Sequence, residues 1–229
     1  GSVYFDIKSF KKYGNLAHLD MKGMKAGARV KQDEYEKESV SDFALWKWYD
    51  TADGENFWEA QFETKDGKKT LKGRPGWHIE CSACNLWGHG EQIDIHMGGV
   101  DLIFPHHQNE IAQTESVTGK TFSHYWMHTG HLLVDGKKMS KSLWNVYRLP
   151  DLEARYPERK TLIYRAFRMM CLQNRYRENF NFTFERLESA VSTITSLDNV
   201  LKRLKSYTPK NTKVRREFRD ILQESMQKF

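Results

Sequence analysis

The sequence has no long hydrophobic run and few cysteines. No stretch of about 18 apolar residues occurs in the chain, so it contains no candidate transmembrane helix and we expect no membrane partner. Three cysteines are an odd number, which favours reduced thiols, and therefore a cytoplasmic protein, over a disulfide framework. The apolar content of 39% in 229 residues is enough for a folded protein with a sizeable core.

Two familiar catalytic motifs are also absent from the sequence. No G-x-x-x-x-G-K-[ST] string occurs, which excludes a P-loop for nucleotide binding. No H-E-x-x-H string occurs, which excludes the usual metalloprotease helix. A nucleotide or metal site in this chain must therefore be built from other residues.

The positive charge of the chain is concentrated at its C-terminal end. The formal net charge is +6, and residues 201–229 alone contain nine basic and three acidic side chains. A basic segment of this kind can follow the phosphates of a nucleic acid. A solvated helical face with the same composition is an equally good interpretation.

Short apolar segments alternate with one helical segment in the middle of the chain. We predict strands at GWHIEC, at the start of IDIHMGGVDLIF and at YWMHTGHLLV, and a helix at HHQNEIAQTESV. The order strand, helix, strand predicts a parallel βαβ unit and an α/β fold. Pro105 suits the first turn of the helix, and Gly119 suits its C-terminal cap.

The two flanking regions differ from this central one. Residues 1–70 are polar and interrupted by glycines, which predicts an irregular insertion. After Pro150 the apolar residues recur at helical spacing, which predicts helices packed through two apolar stripes. We expect these stripes to form core: Leu162, Ile163, Ala166, Phe167 and Met170, then Leu187, Ala190, Val191, Ile194, Leu197, Leu201 and Leu204.

A histidine, a glutamate and a cysteine form a candidate metal site. His106 and Glu110 are four residues apart, so they share one face of the predicted helix, and Cys81 ends the preceding predicted strand. Strand ends and helix starts meet at one edge of a parallel sheet, so the three side chains can converge on zinc. The alternative interpretation is a surface pair. Cys84 completes a C-x-x-C string, but no second such string follows.

The segment GKKMSKSLWN places two lysines, Lys138 and Lys141, on a polar loop after an apolar run. A solvated turn would have the same composition. The spacing of the two ammonium groups also suits a small anion, and phosphate is the obvious candidate.

Five strings taken together closely resemble the sequences of cysteinyl-tRNA synthetases, which are class I aminoacyl-tRNA synthetases. They are GRPGWHIECSA, DIHMGGVDLIFPHHQNEIAQ, YWMHTGHLLVDGKKMSKSLWN and the pair YGNLAHLDMKGMKAGARV and DFALWK. The match runs in order from about residue 3 to residue 190. The combination is far more specific than any single string.

The resemblance implies an architecture and an activity. It assigns residues 1–70 to a connective insertion, 71–149 to the second half of a Rossmann-like parallel-sheet catalytic domain, and 150–229 to a helical bundle or linker leading to an anticodon-binding domain. It implies activation of L-cysteine by ATP, with Mg²⁺, to cysteinyl-adenylate, and transfer of the cysteinyl group to tRNA(Cys). By resemblance to bacterial-type members of the family, we expect the protein to be a monomer.

The resemblance also implies roles for individual residues. One Zn²⁺ would be held by Cys81, His106 and Glu110 and would select the substrate thiolate. Trp77 and His96 would contact the substrate cysteine. Residues implied in ATP binding are Gly99, Asp101, His128, Gly130 and Lys141. The catalytic residues would be Lys138 and Lys141, which stabilise the charge on the departing pyrophosphate.

The chain departs from the family pattern at several points. The HIGH-type motif and a fourth zinc ligand, a cysteine, are absent, so we expect residues 1–229 to be inactive alone. His96, Met97, Gly98 and Gly99 stand where the family usually has three glycines after the histidine. Cys84 stands where methionine is common, as a core thiol or a replacement ligand.

Two other functions remain open at this stage. An enzyme of the same lineage could join activated cysteine to an amino sugar, and the acceptor would distinguish it from a tRNA ligase. A zinc-bearing RNA-binding module without catalysis is the second alternative, and salt-sensitive tRNA binding without ATP binding would indicate it.

Overall fold

The computed structural model of the chain describes residues 1–19, 42–140, 142–207 and 212–227. The chain divides into two compact units, residues 1–131 with 176–179 and residues 132–175 with 180–229. The domain boundaries expected after residues 70 and 149 are based on composition and family resemblance. The two units are instead defined by contacts within the structure. The assigned domain roles therefore stay predictions.

The strands and helices alternate along much of the chain. The strands are β1 Val3–Phe5, β2 Phe43–Trp48, β3 Trp58–Thr64, β4 Gly67–Pro75, β5 Ile93–Gly99, β6 Ser123–Thr129, β7 Leu132–Val134, β8 Lys137–Lys138 and β9 Phe180–Phe182. The helices are α1 Trp77–His89, α2 Gln108–Thr118, α3 Leu149–Arg155, α4 Lys160–Gln173, α5 Phe184–Ser206 and α6 Thr212–Gln227. Among the described residues, none of these helices is both long enough and apolar enough to cross a membrane.

The N-terminal part of the first unit contains a regular antiparallel sheet. Its strands lie in the order β1-β2-β4-β3, and β3 pairs with β4 along its whole length, from Trp58 opposite Gly73 to Thr64 opposite Gly67. The expectation of an irregular insertion over residues 1–70 is therefore wrong for the strands β2, β3 and the first part of β4, because β-prone residues pair into an antiparallel sheet there. Residues 20–41, which carry part of the string YGNLAHLDMKGMKAGARV, lie outside the described residues.

The segment GWHIEC is the start of helix α1, so the prediction of a strand there is wrong. Gly76 caps the helix, and its N–H donates to the carbonyl of Leu45 over 2.9 Å. A Cβ atom on Gly76 would collide with the backbone carbonyl of Ala44, so only glycine permits this close approach to β2.

The predicted parallel βαβ unit is present as β5, α2 and β6. The two strands pair in parallel from Ile93 opposite Ser123 to Gly99 opposite Thr129. Helix α2 ends as predicted at Gly119, whose φ of 69° lies in the left-handed region. Pro105 lies just before the helix, in the irregular turn Ile103–His107.

The predicted strand YWMHTGHLLV is interrupted at Gly130 and becomes β6 and β7, which belong to different sheets. The Gly130 N–H donates to the carbonyl of Tyr176 over 2.7 Å. A Cβ atom at this position would collide with the backbone of Glu178. The chain therefore needs glycine at this position for steric reasons alone.

The second unit is built from helices and a small sheet in the order β8-β7-β9, with β7 and β9 parallel. Its core confirms most of both predicted stripes. The buried residues are Val134, Leu152, Ile163, Ala166, Met170, Phe182, Leu187, Ala190 and Val191. The prediction is wrong for Leu197 and Leu201, which are 48% and 42% exposed, because helix α5 extends beyond the part that packs on α4.

Candidate metal and substrate site

The first turns of α2 are held in place by buried polar side chains. The hydroxyl of Tyr13 donates to Asn109 Oδ1 over 2.5 Å, and the N–H of Leu16 donates to Gln108 Oε1 over 3.1 Å. The hydroxyl of Ser82 on α1 donates to Gln113 Oε1 over 2.6 Å. These bonds fix the two helices whose residues form the site.

The structure brings Cys81, His106 and Glu110 together in the first unit. One ligand atom from each side chain lies within 4.8 Å of the other two. His106 Nε2 lies 3.5 Å from Glu110 Oε1. Cys81 reaches this point from the second turn of helix α1 rather than from a strand end, so the convergence arises from two packed helices.

Glu110 is the most unusual member of this group. Its side chain is fully buried, and Oε1 is without a hydrogen-bond donor among the described residues. A buried carboxylate oxygen without a partner is costly, because the charged atom has lost its hydration. The oxygen faces an imidazole nitrogen and a thiol, and this donor set fits a zinc ion.

His96 lies on the other side of the same carboxylate. Its Nε2 atom is 2.9 Å from Glu110 Oε2. His96, His107 and Glu110 form a second group of three ligand atoms within 4.8 Å of one another. His96 therefore contacts the predicted metal ligand directly, in addition to any contact with a substrate.

Histidines continue outward from the two groups in both directions. His78 Nδ1 lies 2.9 Å from His106 Nδ1, and His107 Nδ1 lies 2.8 Å from His128 Nε2. Five imidazoles are thus linked to one buried glutamate. The sequence predicts no role for His78 or His107, although HIEC and PHH each place a histidine close to a predicted ligand.

Burial controls the protonation of these groups. It lowers the pKa of His78 to about 4 and that of His107 to about 3, with neighbouring imidazoles adding to the effect. It also lowers the pKa of His106, which the charge of Glu110 partly opposes. The pKa of the Cys81 thiol is raised by burial first and by the charge of Glu110 second.

Trp77 stacks on the imidazole of His106, with ring centroids 4.7 Å apart and planes 27° apart. Its side chain is still 53% exposed. Trp77 therefore covers one side of a predicted metal ligand and leaves a face free for a small molecule.

Four of the five residues implied in ATP binding, all except Lys141, also lie in the first unit. β5 ends at Gly99, where a Cβ atom would collide with the carboxylate of Asp101. His128 and Gly130 lie at the end of β6, which is the parallel neighbour of β5. The carboxyl ends of both strands thus carry these four residues at one edge of the sheet.

The segment GKKMSKSLWN, residues 136–145, lies in the second unit. Asn145 links the end of this segment to its start. Its Oδ1 accepts from the N–H of Ser140 over 2.8 Å, and its Nδ2 donates to the carbonyl of Lys138 over 3.1 Å. Lys141 lies outside the described residues. Trp144, which the sequence analysis did not single out, is 92% exposed and has a φ of 53°.

The sequence matches a family model described as the tRNA synthetases class I (C) catalytic domain, over residues 1–192. Curated relatives show the same likeness. The chain is 48% identical over 207 residues to the cysteine–tRNA ligase of Protochlamydia amoebophila, which covers 89% of this chain and 41% of that protein. It is 44% identical over 234 residues to that of Chlamydia abortus, covering 100% of this chain and 45% of that protein.

A third curated relative gives a similar result. The cysteine–tRNA ligase of Brachyspira hyodysenteriae is 47% identical over 207 residues, which cover 90% of this chain and 41% of that protein. The chain therefore spans less than half the length of the curated relatives it matches.

Proposed function

Because the chain belongs to the family of class I (C) tRNA synthetase catalytic domains, we propose that it is the metal-holding and nucleotide-contacting part of a cysteine–tRNA ligase. The parent reaction would be the ATP-dependent activation of L-cysteine to cysteinyl-adenylate, followed by transfer to tRNA(Cys). The observation that carries the proposal is the convergence of Cys81, His106 and Glu110 beside an exposed aromatic residue. A zinc ion held by this donor set can bind a thiolate.

Cys81, His106 and Glu110 would hold one zinc ion, and Glu110 Oε1 would gain the partner that it otherwise lacks. When bound, zinc would supply a Lewis-acid position that accepts the thiolate of the substrate cysteine. Burial first, and the charge of Glu110 second, raise the pKa of Cys81, so metal loading would be coupled to loss of the thiol proton.

Selection against serine follows from the same donor set. A hydroxyl is a much poorer ligand for this site than a thiolate, because sulfur is the softer donor and loses its proton far more readily. A site that forfeits a strong contact to the wrong substrate discriminates by roughly 10³ to 10⁵. No editing site is then needed for serine. Trp77 would close over the small side chain while it stacks on His106.

ATP, with Mg²⁺, would occupy the strand ends that carry Gly99, Asp101, His128 and Gly130. The carboxylate of Asp101 folds back over Gly99 and suits a ribose hydroxyl. Lys138 and Lys141 would stabilise negative charge as pyrophosphate leaves, since fixed cations act where charge develops. The hydrogen bond from Asn145 to the carbonyl of Lys138 would hold the backbone of Lys138 in place.

The tRNA would contact the basic C-terminal region. Residues 201–229 contain nine basic and three acidic side chains, which suits a phosphate backbone. We place the enzyme in the cytoplasm, where tRNA is charged, and expect a monomer. The second half of a Rossmann-like domain is the fold that this proposal assigns to the β5-α2-β6 unit.

A chimera tests the proposal. Residues 1–192 of this chain would replace the matching segment of the Protochlamydia amoebophila ligase, which is 48% identical. We expect cysteine-dependent ATP–pyrophosphate exchange and charging of tRNA(Cys), both lost with Cys81→Ala. A chimera that folds, exchanges pyrophosphate and transfers cysteine to an amino sugar instead of tRNA would contradict the proposed acceptor. A folded chimera without exchange would contradict the activity.

A further inference from the structure

The contact between His78 and His106 constrains which nitrogen of His106 can bind a cation. Their Nδ1 atoms lie 2.9 Å apart, which is a hydrogen-bond distance. One of the two nitrogens must carry the proton and the other must accept it. Since His106 Nδ1 is engaged in this bond, its Nε2 atom is the one left to face Glu110, 3.5 Å from Oε1.

The direction of this hydrogen bond decides whether His106 can act as a ligand. A neutral imidazole carries one proton, so the nitrogen that does not donate has a free lone pair. If His106 Nδ1 donates to His78, then Nε2 is free to coordinate a cation. If His78 Nδ1 donates instead, neutral His106 carries its proton on Nε2 and cannot coordinate through that atom.

The surroundings of His78 favour the neutral imidazole, and only the neutral form can offer an Nδ1 lone pair that accepts from His106. Its side chain is 8% exposed and packs against two aromatic rings, with Phe43 edge-on at a centroid distance of 5.7 Å and Trp77 at 5.1 Å. An imidazolium ion would be costly in this apolar position, because it would lose hydration without gaining a carboxylate. Phe43 also joins the site to strand β2, which fixes the orientation of the His78 ring.

We propose that His78 is a positioning residue, which accepts the Nδ1 proton of His106 and thereby holds His106 with its Nε2 lone pair directed at the cation site. The inference rests on the proposed function, because it takes His106 as a metal ligand. His78 itself does not touch the metal or the substrate. Its effect is exerted through the tautomer and the ring orientation of His106, as with other partners of metal-binding histidines.

Three substitutions separate this role from simple packing. His78→Phe keeps an aromatic ring between Phe43 and Trp77 but removes the acceptor. His78→Asn restores an acceptor oxygen close to the position of the lost Nδ1 atom. His89→Phe is the matched control, because His89 lies exposed at the end of the same helix.

The tautomers can be read in the zinc-loaded chain. Long-range ¹H–¹⁵N correlation spectra at pH 7.5 should show His106 protonated at Nδ1 and His78 protonated only at Nε2, so that Nδ1 of His78 accepts the hydrogen bond. A His78 proton on Nδ1, or a His106 proton on Nε2, in the zinc-loaded wild-type chain would overturn the inference.

Zinc affinity, measured by competition with a chromophoric chelator, is the second readout. We expect His78→Phe to weaken zinc binding by about 10- to 100-fold, His78→Asn to stay within about threefold of wild type, and His89→Phe to have no effect. An affinity for His78→Phe within about twofold of wild type would overturn the inference.

The same titration distinguishes the two proposals. Loss of zinc binding in His106→Ala, together with normal zinc binding in His78→Phe, would contradict only the proposed role of His78. Normal binding in His106→Ala and Cys81→Ala, or no binding by the wild-type chain, would overturn the metal site and this inference with it. A loss in all three, with recovery in His78→Asn, supports both.

Discussion

His96 Nε2 on strand β5 lies 2.9 Å from Glu110 Oε2 on helix α2. This contact ties the sheet to the buried carboxylate and leaves the other oxygen, Oε1, turned towards His106. A carboxylate held on one oxygen has little freedom to rotate, so its second oxygen is fixed for coordination. The contact predicts that His96 orients Glu110 in the proposed metal site, which is a role separate from contact with a substrate.

Replacement of His96 distinguishes these two roles. If His96 orients Glu110, His96→Ala should weaken zinc binding by about 10- to 100-fold, because the freed carboxylate can turn away. If His96 contacts only the substrate, zinc affinity should be unchanged and cysteine binding alone should weaken. Chelator competition measures the first quantity. His124→Ala on the exposed part of β6 is the control.

The zinc content of the purified chain tests the ligand set. Cys81→Ala removes a thiolate that we place on the metal, so elemental analysis should show a zinc content well below that of the wild-type chain. Cys171→Ala should retain the wild-type content, since Cys171 is an exposed thiol on helix α4. Equal zinc in both variants would remove Cys81 from the site.

The C-terminal cap of α2 tests the fold around the site. Gly119 has a φ of 69°, so Gly119→Ala should lower the free energy of unfolding by about 1 kcal/mol, because a Cβ atom is strained in the left-handed region. Gly88→Ala should have the opposite sign, with a gain of up to about 1 kcal/mol, because Gly88 lies within helix α1 and has open space around it. Urea unfolding followed by circular dichroism measures both. Two changes of the same sign would contradict the helix assignments.

The core of the second unit offers a matched pair on one helix. Ile163 is fully buried between α4 and its neighbours, so Ile163→Ala should cost about 2 to 5 kcal/mol through lost burial and the cavity left behind. Leu172→Ala on the same helix should stay within about 0.5 kcal/mol, since Leu172 is 73% exposed. Comparable losses in the two variants would place the wrong face of α4 in the core.

The sequence predicted the helices of the second unit well because their buried faces are apolar. Ile163, Ala166 and Met170 recur at helical spacing, and all three are buried. The same helical spacing also predicted that Leu197 and Leu201 are core residues, but both are exposed. Periodicity identifies the face of a helix that is apolar, but it does not say how far along the helix a neighbour covers that face.

Helix α1 was missed for the opposite reason. The residues that it buries, His78 and Ser82, are polar and belong to the site or to its contact with α2. No apolar stripe therefore marks the helix, and the alternation in WHIEC resembles a strand. A helix whose inner face carries function lacks the hydrophobic signal on which such predictions depend.

The three predicted metal ligands converge, but not because a strand end meets a helix start, as the sequence analysis expected. The spacing of His106 and Glu110 correctly placed them on one side of a helix start, but Cys81 reaches them from a neighbouring helix instead of a strand end. Contacts such as those of His78 and His96 depend on tertiary packing over 28 and 14 residues of sequence separation. Local spacing carries no information at that range.

The most direct test of the central claim is zinc-edge X-ray absorption of the metal-loaded chain with and without L-cysteine. We expect one sulfur scatterer, from Cys81, at about 2.3 Å from the zinc ion, with nitrogen and oxygen as its other ligands. Addition of L-cysteine should add one more sulfur, and addition of serine should add none. An unchanged sulfur count on addition of cysteine, or a first shell without sulfur, would contradict it.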